Sequence, residues 1–135
     1  MKAEKYLYNI SPDKIKLGLE RTEQLLDACN NPEKSFFSVQ IVGTNGKGST
    51  AALLSNVFQT RYKVGLFTSP HLVDYKERIR INFKKIQAHE VNLFLEKHKQ
   101  YIDKIKPSFF EIMTVMAMWY FKKNNVDIAI LETGL

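Results

Sequence analysis

The chain has 135 residues, enough for one domain with a real core and too few for two ordinary ones. Its 44% hydrophobic and 25% charged residues are those of a soluble globular protein, and no stretch has the unbroken apolar length that would span a bilayer. The 20 basic and 14 acidic residues give a net charge of +6. The lysines, however, come as scattered pairs (Lys84 and Lys85, Lys97 and Lys99, Lys104 and Lys106, Lys122 and Lys123) without an arginine cluster or a stacking motif. Solvated helix faces and an anionic small-molecule ligand account for the charge better than nucleic acid does.

The opening "MKAEKYLYNISPDK" lacks the apolar core of a signal peptide, and a single cysteine, Cys29, cannot form an internal disulfide. Both point to a cytoplasmic protein with a structural cysteine. From Ile15 to Ala28 the apolar spacing predicts an amphipathic helix, with Ser11 as cap and Pro12 in the first turn. "NNPEKS" is a loop, and "FFSVQIV", Phe36 to Val42, is expected to be a buried strand. After a glycine-rich stretch, "STAALLSNVFQTR" sets Ala51, Leu54, Val57 and Phe58 on one helical face. "KVGLFTS" is a short strand ending at Pro70, and "ERIRIN", Glu77 to Asn82, a half-exposed one. Helices follow within "AHEVNLFLEKHKQYIDKI" and "SFFEIMTVMAMWYFKKN", the second with Met and aromatic residues as core packing. The apolar strand "VDIAILETGL" closes the chain. This rhythm predicts an α/β fold, a parallel sheet with right-handed crossovers and helices on both faces.

The glycine-rich stretch "VGTNGKGST", Val42 to Thr50, departs from the phosphate-loop pattern G-x-x-x-x-G-K-[ST]. Gly46 and Lys47 supply the G-K step. Ile41 stands where the first glycine belongs, Gly48 stands where the hydroxyl belongs, and Ser49 and Thr50 come late. Its physics still suits a phosphate. Gly43, Gly46 and Gly48 let several amides converge, the helix N-terminus adds its dipole, and Lys47 adds a full charge. Ser49 or Thr50 offers a hydroxyl to magnesium. The alternative is a tight βα turn with a surface lysine, and the strand–loop–helix setting favours the phosphate site. Glu132, ending the last apolar strand, is positioned to hold a metal beside such a loop. Ser69, Pro70 and His71 follow a strand at the same expected edge, but no nucleophile elbow or orienting acid accompanies them, so nucleophilic catalysis is set aside. His89 and His98 fall on helices as ordinary histidines, and the dispersed histidines and cysteine do not make a zinc site.

"GTNGKGST", "TSPHL", "ERIRIN", "FFE" and "ILETGL", with "LGLER" at Leu17 to Arg21, occur in the order and spacing of the folylpolyglutamate synthase and dihydrofolate synthase family. The chain resembles that family from about Leu17 to Leu135. The family is similar to the Mur ligases, which share the G-T-x-G-K core, while "SPHL" and "ERIRIN" favour the folate branch. The family's own pattern delays the hydroxyl behind G-K-G.

By this resemblance the parent enzyme uses ATP to join L-glutamate to dihydropteroate or a folate through an acyl phosphate. Thr44, Asn45, Gly46, Lys47, Gly48 and Ser49 would bind ATP, with Lys47 catalytic, and Ser69 and Glu132 would hold Mg2+. Ser108, Phe109, Phe110 and Glu111 match a segment lining the pterin site, and Ser11, within Asn9 to Pro12, holds the place of another. The resemblance implies that residues 1–135 are the front part of the ATP-binding domain and that a C-terminal glutamate-binding domain lies outside this chain. The chain alone is expected to be inactive. The parent enzyme is expected to be monomeric, and the chain to self-associate through an unpaired edge at its last strand. A Mur-type peptidoglycan ligase and a non-enzymatic nucleotide- or nucleic-acid-binding module are the competing readings.

Overall fold

The computed structural model describes residues 3–10, 18–43, 45–69 and 74–132. Ser11, Pro12 and Thr44 lie outside them, as do residues 133–135. Contacts divide the chain into two compact units, one of Met1–Glu33 with Gln87–Tyr120 and one of Lys34–Ile86 with Phe121–Leu135.

The first unit is helical. It contains α1 (Ala3–Asn9), α2 (Glu20–Ala28), α4 (Ala88–Ile105) and most of α5 (Phe109–Lys123). The expected helix over Ile15–Ala28 is shorter in its described part. Gly18 has φ +97°, a left-handed conformation that no helix interior accepts, and α2 starts only at Glu20. Glu20 and Glu23 in its first turn suit the helix dipole. α4 presents Val91, Phe94, Leu95, His98 and Ile102 at helical spacing, all buried. It ends at Lys106, in left-handed geometry before Pro107. Ile112, Met113, Val115, Met116 and Ala117 of α5 are wholly buried, so the Met-rich stretch is core, as its spacing predicts.

The second unit is a five-stranded sheet in the order β1-β5-β2-β3-β4. Its strands are β1 (Phe37–Ile41), β2 (Val64–Phe67), β3 (Ile79–Ile81), β4 (Lys84–Lys85) and β5 (Ile128–Glu132). β5 pairs in parallel with β1 and with β2. β3 and β4 extend this parallel part as an antiparallel hairpin. Its turn places Asn82 and Phe83 at positive φ, the two-residue geometry that matches strand twist. Asn82 also fastens the hairpin to β2, since its Oδ1 accepts from the Val64 amide at 3.0 Å.

α3 (Lys47–Phe58) covers one sheet face, where Ala51 packs with Val64, Leu66 and Ile130, and Ile41, Leu54 and Phe58 close the rim. Each aliphatic side chain fully buried there contributes about 1.5–3 kcal/mol. Val57, expected on that face, is exposed instead. On the other face the Phe121 ring, from the last turn of α5, lies against Gly65.

The strand positions depart from expectation too. Phe36 to Val42 is an edge strand rather than a buried one, with Phe37 82% exposed. The last strand, β5, is central with partners on both sides. Strand order is set by pairing between distant segments, which the local apolar pattern does not encode. Among the described residues no helix is long and apolar enough to cross a membrane.

Candidate active site

Parallel pairing brings the carboxyl ends of β1, β5 and β2 to one edge, and the sequence places its chemistry there. β1 ends at Ile41, whose register partner is Glu132. Beyond it Gly43 has φ +152° and Gly46 has φ +74°. Gly46 is the N-cap of α3, with no side chain capping the helix and no acidic residue in its first turn. The amides opening α3 are therefore not claimed by a capping side chain, and Lys47 is the first helical residue. A β-carbon on Gly43 would lie 3.8 Å from Lys47 Cγ, so the lysine stem runs back over the loop.

A β-carbon on Gly48 would lie 3.8 Å from Glu132 Oε2. The carboxylate of β5 thus faces the first turn of α3, and only 7% of Glu132 is exposed. One strand further on, β2 runs through Phe67, beside Leu131, into Thr68 and Ser69. Ser69 Oγ accepts a hydrogen bond from Arg78 Nη1 at 3.3 Å. Arg78 closes the 3-10 turn Tyr75–Arg78 and is buried, which lowers its guanidinium pKa from the ordinary value. The sequence reading assigns no role to Arg78. An arginine in an alternating charged and apolar strand looks like an outward-facing residue. Asn45, Gly46, Gly48 and Ser49 are exposed and Lys47 half-buried.

The Ser108–Glu111 segment belongs to the helical unit. Glu111 Oε1 accepts from the Ser108 amide at 2.9 Å, and Ser108 Oγ accepts from the Glu111 amide at 3.2 Å. This reciprocal pair is a capping box opening α5. Arg21 Nε donates to Glu111 Oε1 at 3.0 Å, and Thr22 Oγ1 to Oε2 at 3.2 Å. Desolvation raises the Glu111 pKa. The hydrogen bonds from Ser108 and Arg21, with the arginine's charge, outweigh it and hold the carboxyl below its ordinary value. "LGLER" and "SFFE" thus meet as α2 and α5, joined by Arg21 and Glu111. Phe109 is buried and Phe110 is 41% exposed.

The remaining titratable residues read as structure. Burial pushes the Cys29 thiol up to about 11, unsuited to a nucleophile. His98 is buried against Phe94 and Trp119, and burial lowers its pKa. A cavity of about 500 Å3, lined in part by Phe36, Phe37, Tyr62 and Ile128, lies at the opposite, amino-terminal end of the strands and includes none of the expected site residues.

Among the described residues no cluster of three or more His, Cys, Asp or Glu side chains is arranged to hold a metal. A magnesium ion needs no such cluster. It takes hard oxygen ligands, commonly one or two carboxylates with phosphates and water. Glu132 and the Ser69 hydroxyl are oxygen donors of that kind, and the glycine at position 48 leaves space beside Glu132. The residues fit the ion.

Strand, glycine loop, helix and a carboxylate on the adjacent parallel strand make an α/β arrangement of the phosphate-loop type. No protein-family model matches the chain. The dihydrofolate synthase/folylpolyglutamate synthase of Bacillus subtilis is 38% identical over 129 residues, 90% of this chain and 30% of that protein. A folylpolyglutamate synthase from Thermotoga maritima superposes with TM-score 0.89 at 42% identity, covering 98% of this chain and 32% of that one. Escherichia coli FolC, in complex with DHPP and ADP, superposes with TM-score 0.83 at 37% identity, over 97% of this chain and 32% of that one. The chain belongs to the folylpolyglutamate synthase/dihydrofolate synthase family. It spans between 16% and 31% of the length of the curated relatives it matches.

Proposed function

We propose that this chain is the ATP-binding front part of a ligase that joins L-glutamate to dihydropteroate or to folates. The observation that carries the reading is the approach of Glu132 to Gly48, which sets a carboxylate of β5 against the glycine turn and the first turn of α3. The names of its relatives support the substrate class, and the ADP and DHPP in the E. coli FolC complex support ATP and a pteroate or folate as ligands.

In the proposed reaction a substrate carboxylate oxygen attacks the γ-phosphorus of ATP, the bond to the β-phosphate oxygen breaks, and ADP leaves. The glutamate amine then attacks the resulting acyl phosphate, losing a proton as the amide forms and inorganic phosphate departs. Asn45, Gly46, Gly48 and Ser49, with Thr44 from outside the described residues, surround the phosphates with backbone donors. Lys47 neutralises charge that develops during transfer. Ser69 and Glu132 would hold Mg2+, which when bound supplies charge neutralisation at the phosphates. Phe110 offers a ring to the pterin, and Ser108, Phe109 and Glu111 hold that segment in place. Ser11 is carried as a pterin contact on resemblance alone. The groups that align glutamate belong to the rest of such an enzyme, so the 135-residue chain would bind nucleotide without ligating.

The test is calorimetry. Lys47→Ala should abolish binding of magnesium–ATP while leaving the melting temperature essentially unchanged. Equal binding by the variant and the unaltered chain would overturn the assignment.

A further inference from the structure

Arg78 touches the residue pair that follows β2 in two ways. Its backbone oxygen accepts from the Thr68 amide at 2.9 Å, and its guanidinium donates to Ser69 Oγ at 3.3 Å. It is 9% exposed, so this is a buried charged group committed to a particular arrangement. We propose that Arg78 is a positioning residue that fixes the Ser69 hydroxyl for a magnesium–phosphate ligand, an inference that rests on the nucleotide-binding reading above.

A serine hydroxyl carries one donor and two acceptor sites, and its χ1 has three staggered wells. Unrestrained at a strand end, it would spread over them. The bond from Arg78 takes one acceptor site and selects a rotamer, leaving the other acceptor and the O–H for a cation or a phosphate oxygen. The backbone contact at Thr68 fixes the height of the pair at the sheet edge.

Sheet order explains why Arg78 acts through Ser69. The loop follows β1, Glu132 ends β5, Ser69 follows β2, and Arg78 precedes β3. At ~4.8 Å per strand, β3 lies about 14 Å from β1, beyond the reach of an arginine side chain. Lysine would be a poor substitute, because its single ammonium lacks the rigid fork that aims a donor at one oxygen.

The experiment compares the unaltered chain with Arg78→Lys, Arg78→Ala, Ser69→Ala and the double variant Arg78→Lys/Ser69→Ala. In the ligand-free chain, NMR couplings across the Ser69 Cα–Cβ bond report its χ1. A single rotamer is expected in the unaltered chain and averaging in Arg78→Lys. Calorimetry then reads the magnesium concentration needed for ATP binding, expected to rise about tenfold in Arg78→Lys, as for loss of a group that orients a metal ligand. Ser69→Ala should raise it at least as far, and the double variant no further than Ser69→Ala.

If Arg78→Ala fails to fold, Arg78→Lys carries the comparison. An unchanged Ser69 rotamer in Arg78→Lys overturns the inference whatever the nucleotide result. So does a double variant that is worse than Ser69→Ala, which would mean the guanidinium acts on the ligand by itself. Averaging of χ1 with no nucleotide binding by any form would overturn the functional reading and leave Arg78 as the residue that orients Ser69.

Discussion

Replacing Gly48 by alanine separates the architecture of the site from its occupancy. Gly48 is the second residue of α3, and its φ is not in the left-handed region. The added methyl would sit 3.8 Å from Glu132 Oε2, an ordinary contact with no forced shift. Alanine is better than glycine inside a helix by up to about 1 kcal/mol, and less in the first turn. The expected effect on folding is therefore zero to about 0.5 kcal/mol of added stability, or ~0 to 3 °C in melting temperature for a chain of this size.

Binding should move the other way. Glu132 would hold Mg2+ for the phosphates, and the methyl at position 48 would take up space beside that carboxylate. Calorimetric titration with magnesium–ATP should show at least about a tenfold loss, or ~1.4 kcal/mol. Gly46→Ala should give a different signature. Nothing lies within 4 Å of its added methyl, but φ +74° strains any other residue, so stability falls by about 1–2 kcal/mol. If Gly48→Ala binds nucleotide as tightly as the unaltered chain, the space beside Glu132 is not where the phosphates sit, and the proposed site is wrong.

The remaining expectations concern packing, pH and assembly. In Gly65→Ala the new methyl would meet the Phe121 ring at 2.8 Å, an overlap expected to cost about 1–3 kcal/mol; urea unfolding of the Gly65→Ala/Phe121→Leu pair should recover part of it, and additive losses would refute the clash. The Glu111 carboxyl is held below its ordinary pKa, so its contribution is present above the unfolded value of about 4.3 and is lost as pH falls through the folded one. Glu111→Gln should therefore lower stability by about 1.5–3 kcal/mol at pH 7 and by progressively less as the pH is taken down through the carboxylate range; a loss that stays constant down to acid unfolding would rule out the charge as cause. With β1 as the outermost strand among the described residues and Phe37 82% exposed, sedimentation should show concentration-dependent dimers of the chain, and Phe37→Lys should abolish them; unchanged association would place the contact elsewhere.

Local patterns carried much of the site. The glycines of "VGTNGKGST" already imply positive φ, and Gly43 and Gly46 have it. An apolar strand ending in Glu132 is likewise visible along the chain. What the chain does not display is pairing. β5, the last described strand in sequence, enters between β1 and β2, and that insertion leaves β1 at the margin of the described sheet with Phe37 exposed. The burial of Arg78 is hidden for a related reason: the hydroxyl it meets is nine residues away, just beyond the end of β2. The capping box is a different case. Ser108-x-x-Glu111 before an apolar run is a readable helix start, so the spacing that resembles a pterin-site segment also has a structural cause.

The irregular loop follows from the same insertion. In the usual pattern a hydroxyl comes directly after the lysine, and here that position is Gly48. Because β5 lies next to β1, Glu132 is the register partner of Ile41 and its carboxylate reaches the first turn of α3. An added β-carbon at position 48 would already touch Glu132 Oε2, and a serine hydroxyl would extend into the space beside it. It would bond the carboxylate and occupy it. With glycine at that position and the hydroxyls displaced to Ser49 and Thr50, the carboxylate keeps its access to the loop. Gly48→Ser should therefore fold normally and bind magnesium–ATP less well than Gly48→Ala. Calorimetry giving the reverse order would mean that the late hydroxyls have another cause.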